Sequence, residues 1–73
     1  MTMKELKAQV EFVDALFINF LLSMKEHMGN EKENPGYFNK NYMNKNCGKV
    51  ALKRKITLIR QELLNLEKMI ERI

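Results

Sequence analysis

The sequence predicts an all-α protein: an antiparallel two-helix hairpin with a long connecting loop, assembling into a helical bundle as a homo-oligomer. Three observations carry this expectation. Apolar residues recur at steps of three and four along both ends of the chain. Glycine, proline and asparagine concentrate between those two stretches. The first stretch is apolar on two sides, which a chain with only two helices cannot bury on its own.

The first helix is expected over 3–28. Leu6, Val10, Val13, Phe17, Phe20 and Met24 form one continuous apolar seam in heptad rhythm. Thr2 can cap its start, with Glu5 three residues later at capping-box spacing. Gly29 and Asn30 both tolerate a left-handed backbone and make a natural stop. The second helix is expected over 49–73, where Leu52, Ile56, Ile59, Leu63, Leu66, Ile70 and Ile73 repeat the pattern without glycine or proline. Two helices of matched length and matched seam point to an antiparallel hairpin.

The connecting loop is expected over 29–48, 20 residues of which six are Asn. Loops of this length inside compact domains are usually functional or disordered. Asn34-Pro35-Gly36 suits a type II turn, with Pro35 second and Gly36 third. Tyr37, Phe38, Tyr42 and Met43 then form an apolar cluster, and a short helical turn puts Phe38 and Tyr42 on one face. The cluster serves either to cap the open end of the hairpin or as an aromatic contact surface for a partner, through Tyr37, Phe38 and Tyr42.

Ala8, Ala15, Ile18 and Leu22 lie on the side of the first helix away from the Phe17 seam, with Phe12 at its edge. The back of the second helix carries Arg54, Gln61, Lys68 and Arg72 instead. The first helix is therefore expected to self-associate through Ala8, Phe12, Ala15, Ile18 and Leu22, burying side chains worth about 1.5–3 kcal/mol each. A chain of 73 residues is one small domain, below the size at which a single core usually suffices. Cys47 is alone, so no intrachain disulfide can help, and Cys47 and His27 are too few to hold a zinc-type metal. Dimer is the default oligomer, with higher states open.

The formal net charge is +4. All of that excess falls in 49–73, where seven bases face Glu62, Glu67 and Glu71. From Lys45 to Arg60 the chain carries Lys45, Lys49, Lys53, Arg54, Lys55 and Arg60 and no acid. Placing bases in the first turns of a helix opposes its dipole. Lys45, Lys49, Lys53, Arg54 and Arg60 are thus candidates for binding an anion or a partner, against the plainer reading of a solvated face.

Enzymatic chemistry finds no support. Cys47-Gly48-Lys49-Val50 lacks the upstream glycine and the Ser or Thr of a phosphate loop. The one His and the one Asp, His27 and Asp14, form no triad with a nucleophile. His27, read as part of the last helical turn, is explained by the helix dipole. No cofactor is implied. The most apolar stretch, 15–24, is too short to span a membrane, and the free thiol suits a reducing compartment, so a soluble cytoplasmic protein is expected.

These readings combine into a non-catalytic, regulatory or inhibitory interaction protein that docks on a macromolecular partner through its loop and basic patch. One alternative is a protein that sequesters a small anionic ligand such as a nucleotide at subunit interfaces. Another is nucleic-acid binding through the basic face of the second helix. Small size and a composition rich in Asn and Lys fit a chain encoded by a phage or other mobile element.

Overall fold

A computed structural model describes residues 2–40 and 48–73. Among the described residues the chain is all helical, with α1 at Met3–Glu33, α2 at Tyr37–Lys40 and α3 at Gly48–Glu71. Helices α1 and α3 pack antiparallel: Gln9 Nε2 donates to the Glu62 carbonyl at 3.1 Å, and Lys55 Nζ donates to Asn19 Oδ1 at 2.9 Å. The Thr2 hydroxyl accepts from Glu5 N–H at 3.2 Å, capping α1 as its position in the sequence suggests.

Helix α1 does not stop at Gly29. It runs through that residue to Glu33 and ends at Asn34, whose φ of −130° and ψ of 84° leave the helical region. The cause is Pro35: its ring disfavours a helical residue before it, and it has no N–H to donate. An interior glycine costs only about 1 kcal/mol of helix propensity, too little to end a helix whose far end is packed. The chain then reverses in the expected turn. Gly36 takes φ +94°, as the third position of a type II turn requires, and Tyr37 N–H donates to Asn34 O at 3.1 Å. The 29–48 loop is therefore shorter than the sequence implies: its first five residues are helix, 37–40 form α2, and Gly48 opens α3.

The helices meet along a stripe that keeps Leu6, Val13 and Phe20 of α1 and Leu52, Ile59 and Leu66 of α3 from the seam read in the sequence but is turned to one side of it. The buried and half-buried residues of α1 are Leu6, Gln9, Val13, Leu16, Phe20, Ser23, Met24, His27, Asn30 and Glu31, which apart from Met24 and Glu31 follow three- and four-residue steps. Their counterparts on α3 are Leu52, Lys55, Ile59, Glu62, Leu66 and Met69. Val10, Phe17, Ile56 and Leu63, expected in the seam, are 48, 42, 39 and 39% exposed. Each helix has an apolar band wider than one interhelical seam, so two helices can cover only part of it. They cover the side on which Gln9 and Lys55 can hydrogen-bond across.

The result is a rod of 48 × 18 × 14 Å with a radius of gyration of 15.6 Å. A compact domain of this length has about 11 Å. Among the described residues Val13, Ala51, Leu52 and Ile59 are the buried apolar side chains.

Candidate functional site

The best-defined constellation lies at the corner where α1 turns into α2. The Glu31 carboxylate accepts from Gly36 N–H at 2.9 Å and from Phe38 N–H at 3.0 Å. These two bonds hold its pKa below the ordinary carboxylate value. One side chain thus fastens the turn and the start of α2 back onto α1. The rings of Tyr37 and Phe38 fold against His27, at centroid separations of 5.6 Å edge-on and 6.4 Å stacked. Gly48 begins α3 at φ +64°, with the position of a Cβ only 2.7 Å from the Phe38 carbonyl oxygen. The backbone of α2 therefore sits against the start of α3.

His27 is not the terminal, dipole-facing residue that the sequence suggests. Six residues of α1 follow it, and it is 7% exposed. Its Nδ1 lies 2.7 Å from the Ser23 carbonyl, which can only accept, so Nδ1 carries the proton. Nε2 is buried without a hydrogen-bond partner among the described residues. A helix ending at Gly29 would leave His27 in its last turn, so the buried role follows only once the helix continues to Glu33. The continued three- and four-residue steps through Ser23, His27 and Asn30 were the available signal.

Tyr37 and Phe38 are half-buried against His27. Tyr42 and Lys45 lie outside the described residues. Lys49, Lys53, Arg54 and Arg60 are exposed along α3. Lys53 and Arg54 line a shallow depression of about 350 Å³ with Val50, Thr57, Leu58 and Gln61. The Thr57 hydroxyl in that depression donates to the Lys53 carbonyl at 3.0 Å. Ala8, Phe12, Ala15, Ile18 and Leu22 are all exposed on the outer side of α1.

Among the described residues, no group of three or more His, Cys, Asp and Glu side chains is placed to hold a metal, and no helix is long and apolar enough to cross a membrane. The chain matches no protein-family model, and comparison with curated proteins and with solved structures likewise finds no match.

Proposed function

We propose that this chain is a non-catalytic interaction protein that works as a homo-oligomer and docks on an acidic macromolecular surface through the basic face of α3. The observation that carries the reading is the exposure of Lys49, Lys53, Arg54 and Arg60 on one helix whose first 12 residues, Gly48 to Ile59, hold no acid. Lys49 in the first turn acts against the helix dipole, and no acid in the stretch offsets it or the three bases that follow, so the pattern is not what helix stability alone selects. A fixed helical array of cations steers an acidic partner and sets its register more than it adds raw affinity. The outer side of α1, with Ala8, Phe12, Ala15, Ile18 and Leu22, is one of two apolar surfaces open to association.

A second reading takes a small anion such as a nucleotide as the ligand, held at a subunit interface with Lys53 and Arg54, which edge a shallow, largely apolar depression. A pull-down from the native host with mass spectrometry separates the readings, run with wild type and with Lys53→Glu/Arg54→Glu. Docking on a protein predicts a defined complex that the charge reversal abolishes. A thermal shift with free nucleotide and no such complex would favour the small ligand. Binding to DNA or RNA that falls steeply with salt would favour nucleic acid.

A further inference from the structure

We infer that the side of the hairpin bearing Val10 and Phe17 from α1 and Ile56 and Leu63 from α3 is the seat of a second copy of this chain. In that pair, α1 of each copy lies along α3 of the other and both hairpin turns stand at the same end. The inference rests on the oligomeric reading above and names its surface.

The geometry follows from the observed seam. Val10, Phe17 and Met24 each follow the seam residues Gln9, Leu16 and Ser23 by one position. Ile56, Leu63 and Ile70 follow Lys55, Glu62 and Met69 in the same way. In an antiparallel helix pair, residues one step beyond equivalent seam positions emerge on the same side of the pair. The Gln9–Glu62 and Asn19–Lys55 contacts fix the levels. Val10 stands level with Leu63, and Phe17 with Ile56. The two helices together therefore present one apolar face, whereas the outer side of α1 is a single-helix stripe.

A second copy is the occupant that the surface areas suit. The chain exposes 5915 Å², against about 4700 Å² for a compact monomer of its mass. An interface of ordinary size removes about 800 Å² per partner, which fits within that excess. The charged rim selects the orientation. On the outer edges of the face, Lys7 and Asp14 of α1 stand level with Glu67 and Arg60 of α3. A two-fold axis along the hairpin brings Lys7 to Glu67 and Asp14 to Arg60 of the second copy, each pair formed twice. An axis across the hairpin at the level of Asp14 and Arg60 instead brings Asp14 to Asp14 and Arg60 to Arg60, and leaves only Glu67 with Lys53 as an attractive pair. Between Arg60, Leu63, Leu64 and Glu67 lies a depression of about 290 Å³. Residues spaced this way form the hole that receives a knob in helix packing, and the hole stands level with Val10 of the second copy. Arg60 then belongs to the rim, as does Lys53 one heptad before it, while Lys49, one heptad before Ile56, lies at the turn end of the same face and Arg54 stays clear of it.

The test uses the full chain. Asp14→Lys and Arg60→Glu, each alone, are expected to weaken self-association by roughly tenfold or more, because two attractive pairs become repulsive. Mixing the two variants makes every pair complementary again and is expected to restore association, which also shows that both remained folded. Spin labels at Lys32→Cys in a Cys47→Ser background are expected to lie much closer together than the 48 Å length of the rod. Unchanged association in the single variants, or label separations near that length, overturns the inference and leaves the oligomeric reading standing. A wild-type chain that sediments as a monomer at high micromolar concentration overturns both.

Discussion

The register of the two helices can be tested by truncating Ile59 and Ile56 separately. The sequence places both in the seam, whereas the fold buries Ile59 to 6% exposure and leaves Ile56 39% exposed. Replacing isoleucine by alanine deletes three carbons, worth about 2.4 kcal/mol of transfer free energy when fully buried, and the cavity left behind raises the loss to about 3 kcal/mol. Ile59 is near that limit. Ile56 already has part of its surface in water and opens no closed cavity, so about 1.5 kcal/mol is expected there. A chain of this length holds roughly 4–11 kcal/mol in total, so the first loss is a large fraction of its stability. In thermal melts at high dilution, Ile59→Ala should lower Tm by about 12 °C or more and Ile56→Ala by roughly half as much. Raising the concentration should narrow the gap, since a second copy covers Ile56. An Ile56→Ala loss larger than that of Ile59→Ala at high dilution would refute the packing, because the seam would then run through Ile56 and Leu63.

Two glycines should respond to alanine with opposite signs. Gly29 lies inside α1 with nothing within 4 Å of its Cβ position, so Gly29→Ala should stabilise by about 0.5–1 kcal/mol in urea melts. Gly48 has φ +64° and a Cβ position 2.7 Å from the Phe38 carbonyl, so Gly48→Ala should destabilise by more than about 1 kcal/mol. Glu31 should govern part of the acid response. Its folded pKa is lowered by the Gly36 and Phe38 N–H groups, so its contribution is present above the ordinary carboxylate pKa and is lost as pH falls through the lower folded value. The Tm of wild type should therefore exceed that of Glu31→Gln at neutral pH and converge with it in acid. Parallel Tm curves from neutral pH into acid would count against the clasp.

Helix content and the Asn34-Pro35-Gly36 reversal were legible in the sequence because each depends on neighbouring residues alone, and antiparallel pairing follows from two amphipathic helices of matched length joined by such a reversal. Thr2 is a cap by its own chemistry, Pro35 removes an N–H wherever it stands, and three- and four-residue spacing is a property of one helix. The end of α1 was misread because glycine is a weak breaker beside proline. Which half of each apolar band is covered was decided only in three dimensions. That choice depends on hydrogen bonds between residues far apart in sequence, Gln9 with Glu62 and Lys55 with Asn19, and on α2 folding Tyr37 and Phe38 over His27. Periodicity ranks residues by their own polarity, so it places Val10, Phe17 and Ile56 in the core and leaves Gln9, Lys55 and His27 outside it. The tertiary contacts reversed that order, because a long polar side chain can lie half-buried once its tip has a partner.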